Sequence, residues 1–377
     1  MVVMNETRAG DFRFIATQQD LAVLCEELQD ATCIGLDTEF ERSRTFFAEL
    51  CLVQIAAPGV LACIDPFAVD SLAPLTALLA SARSTVVLHA ARQDLEVLYQ
   101  IDGRLPAQVL DTQLAAGLAG YTDNLGYADM VQQLLGITLD KSQTRTDWRQ
   151  RPLSAAQLDY AAADVQHLAR CAHDLQDKLV ALGRSRWLVE DCRALLSTDA
   201  LRQTPETAWQ RLRGLANLTA AAQARAVALA AWRETTAQTR NLPRGWVLKD
   251  EELLALAAKP PTSAAELAGA LANHGNVRRH AENIIDVLHA PAPPMAPLAT
   301  RRLTTAGRAA LKRLTAQAQD IAASLGIAAS ILITRREIEM LVCGELPPRL
   351  REGWRGQALA LLVAARAESG DDGLWET

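Results

Sequence analysis

Residues 50–64, LCLVQIAAPGVLACI, place two apolar runs on either side of Pro58-Gly59. Pro-Gly is a strong turn signal, because proline presets one turn angle and glycine accepts the next. The two runs therefore read as neighbouring antiparallel strands. Residues 32–37, TCIGLD, precede them after a helix-like stretch at 19–28, and the three strands together read as an antiparallel meander. A fourth, buried strand is expected at 85–89, TVVLH, and a short fifth at 109–111, VLD. Helical periodicity occupies 93–100, 112–119, 125–135 and 155–182. Strands first, then strands alternating with helices, specify an α/β domain on a mixed, partly antiparallel sheet.

Strand signals end near residue 195. Residues 206–290 read as amphipathic helices interrupted at Asn241-Leu242-Pro243 and Lys259-Pro260-Pro261. Residues 289–299 carry four prolines and read as an extended linker; 300–368 are helical again, with a break at Pro347-Pro348. A chain of 377 residues has the length for two or three domains. The expected division is an α/β domain over 1–195 and two small all-α domains over 206–290 and 300–377. Charge follows a similar division, with a net of −10 over 1–190 and +4 over 191–377. An acidic half either repels nucleic acid or holds divalent cations that reverse its local field, and composition does not choose between these. No apolar run approaches the ~18–20 residues of a membrane span. The segment 1–14, with Glu6, Arg8, Asp11 and Arg13, lacks the apolar core of a signal peptide. Seven cysteines without a CxxC pair argue against a disulfide framework or a zinc knuckle. A soluble cytoplasmic protein with reduced thiols and no membrane partner is the expectation.

Acidic side chains mark the α/β segment at three places. Asp37-Thr38-Glu39 ends the first expected strand, where residues i and i+2 share a face. Asp94 lies at or just inside the start of the helix that follows the fourth strand. Tyr160 and Asp164 are four apart on a helix whose start carries the capping-box pattern Ser154-Ala155-Ala156-Gln157, so phenol and carboxylate share a face. Each has a plain structural reading: a strand-end turn, a helix cap, a packed tyrosine beside a solvated aspartate. The conjunction changes the reading. Together the acids form the all-oxygen donor set that two hard cations, Mg2+ or Mn2+, require. Two such ions ~3.5–4 Å apart activate a water and stabilise the leaving oxygen of a phosphodiester. A phenol with a pKa near ~10 is a poor base at neutral pH, so Tyr160 reads as a group that orients the water.

LDTEF (36–40), HAARQDLEVL (89–98), DTQLAAGLAG (111–120), KSQTRTDWRQRPLS (141–154) and QLDYAAADV (157–165) closely resemble the ribonuclease D family. These are bacterial 3′–5′ exoribonucleases of the tyrosine-bearing (DEDDy) branch of the DEDD superfamily. The resemblance covers about 1–195. Residues 206–290 resemble an HRDC domain, and 300–377 are inferred from position and architecture to be a divergent second one. The resemblance implies a ribonuclease H-like exonuclease domain followed by two small all-α HRDC-like domains. It makes Asp37, Glu39, Asp94 and Asp164 metal-binding acids, with Asp37 bridging both ions. Glu39 and Asp164 complete the site of the water-bearing ion, Asp94 acts at the second site partly through water, and Tyr160 positions the nucleophilic water. His167, three residues beyond Asp164, reads as a surface or packing residue, not as the histidine of the sister branch. The implied reaction releases nucleoside 5′-monophosphates from RNA 3′ ends, with tRNA precursors and other small structured RNAs as partners.

Lys141, Arg145, Arg149 and Arg151 cluster ahead of the Tyr160 helix. They read as phosphate contacts along a single strand, or equally as a solvated basic loop. Trp148 among them is either a stacking platform or an anchor for that loop. Phe40, beside the acids, is the candidate to contact the terminal base or ribose, and His89 and Gln93 the candidates to hold the 3′-terminal nucleotide. Arg278, Arg279, His280, Arg301, Arg302, Arg335 and Arg336 are further RNA-facing candidates in the helical blocks. A DNA-directed exonuclease is the rival enzyme, since the metal chemistry is shared, but no polymerase-sized region accompanies the domain. A non-catalytic RNA-binding adaptor is the rival of another class, and the intact acid positions argue against it.

Overall fold

The structure is a computed structural model of the chain. It describes residues 12–140, 142–143, 146–202, 204–271, 280–291, 302–368 and 374–376. A six-stranded sheet in the order β1-β4-β3-β2-β5-β6 comprises β1 (Arg13–Ile15), β2 (Cys33–Glu41), β3 (Glu49–Ala57), β4 (Val60–Ile64), β5 (Thr85–Leu88) and β6 (Val109–Asp111). β3 and β4 are antiparallel, with Ala57 opposite Val60 and Gly59 turning at φ +75°. β1–β4, β2–β5 and β5–β6 are parallel. The sheet is mixed, as the order of the sequence signals requires.

Two features of the sheet depart from the sequence reading. β1 is an additional strand at the sheet edge, and its three residues, RFI, are too few to show a period. β2 runs on to Glu41, so Asp37 and Glu39 lie inside the strand and not at its end. Acidic side chains in TEFE hide the continuation, because no apolar run marks it.

Helices cover the sheet: α1 (Gln18–Glu27), α2 (Ala73–Leu79), α3 (Arg92–Asp102), α4 (Thr112–Leu118), α5 (Tyr127–Leu135), α6 (Ala155–Gln166), α7 (Leu168–Ala181) and α8 (Ser185–Leu195). The stretch expected as one helix over 155–182 is thus two, joined at His167 (φ −103°, ψ −2°). The joint lies over Gly35 of β2. A Cβ at that glycine would stand 3.3 Å from the Val165 carbonyl oxygen and 3.4 Å from Leu168 Cβ. Any side chain there would push the α6–α7 joint back by a few tenths of an ångström from the strand that carries Asp37. The core beneath includes Ile34, Leu36, Leu52, Ile55, Val86, Leu88, Leu95 and Leu175, all fully or almost fully buried.

The chain forms two compact units. The first combines residues up to 41 with 50–201 and 303–374. The late helical block, expected as a separate domain over 300–377, therefore shares a core with the sheet domain. Asp191 of α8 forms a buried two-pronged ion pair with Arg355, one prong at 2.8 Å, and Trp187 stacks on Trp354 with ring centres 4.4 Å apart. The second unit comprises 42–49, 202–302 and 375–377. Its core packs Ala226, Leu229 and Ala230 of the helix Ala220–Arg240 against Leu253, Leu256, Ile284 and Leu288. Glu234 is fully buried there and held by Arg244 at 2.5 and 2.7 Å. Residues 42–49 belong to this unit: Asn241 Oδ1 accepts the Phe46 and Phe47 N–H groups at 3.1 and 3.0 Å. The expected linker over 289–299 lies largely outside the described residues. Among the described residues, no helix is long and apolar enough to cross a membrane.

Candidate active site

Strand alternation turns Asp37 and Glu39 to one face of β2 and Thr38 to the other. Helix α6 starts at a capping box: Ser154 Oγ accepts Gln157 N–H at 3.2 Å, and Gln157 Oε1 accepts Ser154 N–H at 2.9 Å. This fixes the start of the helix. Tyr160 and Asp164 then share a face one turn apart, and the phenol donates a hydrogen bond to the Asp164 carboxylate. The α6–α7 joint over Gly35 brings that face to β2. One carboxylate oxygen from each of Asp37, Glu39 and Asp164 lies within 4.8 Å of the others.

Asp94 arrives from the first turn of α3 and is 6% exposed. It is not part of that close trio. The Thr38 hydroxyl donates to its Oδ1 at 2.5 Å, so β2 tethers it directly. Its charge still acts on Asp37 and Glu39.

The electrostatics follow from this crowding. Burial, then repulsion from Asp94, Asp164 and Glu39, holds Asp37 well above the usual carboxylate range. Burial and the charges of Asp164 and Asp94 push Glu39 up to about 8. Burial raises Asp164 to about 6 against the hydrogen bond from Tyr160, and raises Asp94 to about 6 against the one from Thr38. Acids placed like this hold their protons to higher pH than free carboxylates do unless a cation enters among them. The donors are oxygens alone, with neither imidazole nor thiolate among them, which suits Mg2+ or Mn2+ over a softer metal.

Tyr127 is a contributor that the sequence reading missed. Its hydroxyl donates to the Ala163 carbonyl and accepts His167 N–H, both at 3.2 Å, and so braces the joint just beyond Asp164. No spacing rule points to it, because its partners lie 36 and 40 residues away. His167 is a buried packing residue at that joint, as expected.

The RNA-contact candidates separate. Phe40 follows Glu39 on β2 and is half-buried, and Gln93 is exposed beside Asp94. Arg149 is paired with Asp147 at 3.2 Å. Arg151 does not fit the expected role of phosphate contact. Its guanidinium holds Asp65 at 2.6 and 2.8 Å, donates to the Cys51 and Trp148 carbonyls at 2.7 and 2.8 Å, and lies over the Phe67 ring at 4.7 Å. A guanidinium so engaged by the protein is a structural clamp. His89 is likewise engaged through both ring nitrogens, Nδ1 with Thr112 Oγ1 at 2.9 Å and Nε2 with the Leu125 carbonyl at 2.8 Å. Trp148 is 3% exposed, with its ring centre 6.1 Å from that of Tyr160, and serves as an anchor. Lys141 and Arg145 lie outside the described residues, as do Arg278, Arg279 and Arg301. Arg335 pairs with Glu339 at 3.0 Å, Arg336 is exposed, and His280 accepts from Arg240 at 2.9 Å.

Residues 12–180 match the family model of a 3′–5′ exonuclease, and 222–288 that of an HRDC domain. Among curated proteins, the chain is 43% identical to ribonuclease D of Jannaschia sp. over 258 residues, which is 67% of each protein. It is 33% identical to ribonuclease D of Escherichia coli over 363 residues, 93% of this chain and 96% of that one. The crystal structure of Escherichia coli RNase D, described as an exoribonuclease involved in structured RNA processing, superposes with a TM-score of 0.87 at 32% identity. That match covers 95% of this chain and 99% of the other. The catalytic core of RRP6 from Trypanosoma brucei shares the fold at 22% identity and a TM-score of 0.58, covering 74% of this chain and 78% of that one.

Proposed function

The chain belongs to the ribonuclease D family and is a 3′–5′ exoribonuclease, and from that premise we propose that Asp37, Glu39, Asp94 and Asp164 hold two divalent cations, Mg2+ or Mn2+. The substrates are RNA 3′ ends, those of tRNA precursors and other small structured RNAs among them, and the products are nucleoside 5′-monophosphates. When bound, the cations supply an activated water and offset the charge that develops on the leaving oxygen.

The chain's own residues do the rest. Asp37, whose carboxylate feels the charge of all three other acids, would help to hold both cations, as the family resemblance implies. Glu39 and Asp164 would hold one cation with it on the side of Tyr160, and Asp94 would hold the other. The Tyr160 hydroxyl, already directed at Asp164, orients the attacking water. Trp148 backs that phenol and limits its freedom. Phe40 and Gln93 meet the terminal nucleotide, and Arg149, with Lys141 and Arg145, meets the backbone behind it. An HRDC-type domain over 206–290, and a helical block over 300–377 of HRDC type packed on the catalytic domain built around 1–195, belong to the same proposal, as does a cytoplasmic location. An HRDC domain binds nucleic acid, and weak contacts tethered to a nuclease raise substrate occupancy through effective concentration.

The observation that carries this reading is the convergence of three half-buried carboxylates from β2 and α6 within 4.8 Å. The test uses 3′-labelled RNA and DNA of one sequence. Excess chelator should abolish cleavage, Mg2+ or Mn2+ should restore it, and RNA should be the faster substrate. Undiminished cleavage in chelator would refute the cation site. Faster cleavage of DNA would favour the rival enzyme.

A further inference from the structure

Asp111-Thr112 stands outside the acid cluster, yet it holds the turn from which Asp94 departs. β5 ends at Leu88 and α3 begins at Arg92, so three residues redirect the chain. Ala90 does this at φ +58°, in the left-handed region that an alanine adopts only under constraint. The constraint is the Asp111 carboxylate, which is 3% exposed. Its Oδ1 accepts Ala90 N–H at 3.2 Å and its Oδ2 accepts Ala91 N–H at 2.9 Å. Oδ1 also caps α4 through Gln113 and Leu114 N–H at 2.8 and 3.2 Å. Thr112 completes the grip: its hydroxyl donates to the Leu88 carbonyl at 2.9 Å and meets His89 Nδ1 at the same distance. Each residue of 88–91 is therefore bonded to this one dipeptide. Ala91 in turn begins α3, since its carbonyl accepts Leu95 N–H at 3.0 Å, and Asp94 stands in that first turn.

We propose that Asp111 is a positioning residue of the cation site: by clamping Ala90 in the left-handed conformation it sets the direction from which the Asp94 carboxylate faces Asp37. The inference rests on Asp94 serving the cations. Thr38 ties the tip of Asp94 to β2, and Asp111 ties the backbone behind it. With both ties the carboxylate is held at two ends; without Asp111 the turn relaxes toward ordinary alanine angles and α3 carries Asp94 away. A helix cap alone does not account for the arrangement, because Ala90 and Ala91 belong to the turn before α3 and not to α4. Nor does asparagine substitute for the acid, since its amide NH2 would oppose either the Ala91 N–H or the donors on Oδ1.

The test measures Mn2+ affinity of the full chain without RNA, from the paramagnetic resonance signal of free Mn2+. Rates on 3′-labelled RNA and melting in chelator are measured alongside. Asp111→Asn should weaken Mn2+ binding about tenfold or more, the usual cost of losing a group that orients a ligand. It should lower kcat with little change in KM. Adding Ala90→Gly should recover at least about threefold of that loss, because glycine takes the left-handed angles without a clamp. If Asp111→Asn does not fold, Ala90→Val with Asp111 intact strains the same turn and should also weaken Mn2+ binding. Wild-type Mn2+ affinity in Asp111→Asn or Ala90→Val, or no recovery by Ala90→Gly, would overturn the inference. Wild-type affinity in Asp94→Asn would overturn the assignment of Asp94 and the inference with it. A weakened Asp94→Asn beside an unaffected Asp111→Asn would overturn the inference alone.

Discussion

The protein buries aspartates in two contrasting ways. Asp191 is 8% exposed and faces Arg355, itself 5% exposed, in a two-pronged pair that also receives the Trp354 indole N–H at 3.2 Å. Asp37, Glu39 and Asp164 are half-buried, and the influences on them are desolvation, one another's charge, and hydroxyl or backbone donors. A buried acid with its own arginine is complete within the fold. Acids crowded together without one are a standing demand for an external cation. The difference separates the structural carboxylates from the catalytic ones more sharply than burial does, since Asp94 is as buried as Asp191.

The largest effect should come from breaking the completed pair. Asp191→Asn leaves the Arg355 charge buried with a neutral partner, which costs about 3–5 kcal/mol. Urea unfolding of the full chain checks it. Asp37→Asn should behave oppositely in chelator, with unchanged or raised stability because the amide needs neither a proton nor a cation to sit there, while turnover on RNA falls by more than about 100-fold. A matching stability loss in the two variants would show that the paired and the crowded acids do not differ in this way.

The next effect is on pH. Unfolded carboxylates release their protons near ~4, whereas Asp94 and Asp164 hold theirs to about 6 and Glu39 to about 8. Between those values the folded form binds more protons than the unfolded form, so stability in chelator falls as pH rises. Bound cations reverse the preference by stabilising the ionised acids. The rise in melting temperature on adding Mn2+ should therefore be small at pH 5 and large at pH 8. An equal rise at both values would show that the acids are not the groups that bind it.

A smaller loss is expected at Tyr160. Tyr160→Phe removes one hydrogen bond to Asp164 and the group that orients the water, while the ring still packs beside Trp148. About tenfold in kcat is the scale of one such bond, with RNA affinity retained. Wild-type turnover would remove the phenol from the reaction.

Local rules made part of this molecule legible in advance. Pro58-Gly59 set the β3–β4 register, the Ser154 and Gln157 side chains set the start of α6, and strand parity placed Asp37 with Glu39. What escaped has long-range causes. Arg151 reads as a free basic residue until Asp65, 86 positions earlier, is seen to hold it. Arg355 finds Asp191 across 164 positions, and that pair helps draw the late helical block onto the sheet domain. The break at His167 carries no proline or glycine of its own, and the strand it packs on most closely offers Gly35, more than 130 positions earlier. Propensity and spacing act over a few residues, and none of these three features is encoded there.

Tyr127 gives the finest test of the contrast, because it serves the open cluster with the means of a closed one. Its hydroxyl is a buried donor and acceptor, fully paired like Asp191, yet its partners are the backbone groups on either side of Asp164. Tyr127→Phe should cost about 1–3 kcal/mol, because the Ala163 carbonyl and His167 N–H lose their partner without a route to water. If the brace is only structural, Mn2+ affinity will match the wild type wherever the variant is folded. If it positions Asp164, Mn2+ affinity will fall by a few-fold at temperatures well below the melting transition, where the folded fraction is complete. Titrating Mn2+ at 10 and 25 °C against a circular dichroism control separates the two, because a deficit that persists at the lower temperature cannot come from unfolding.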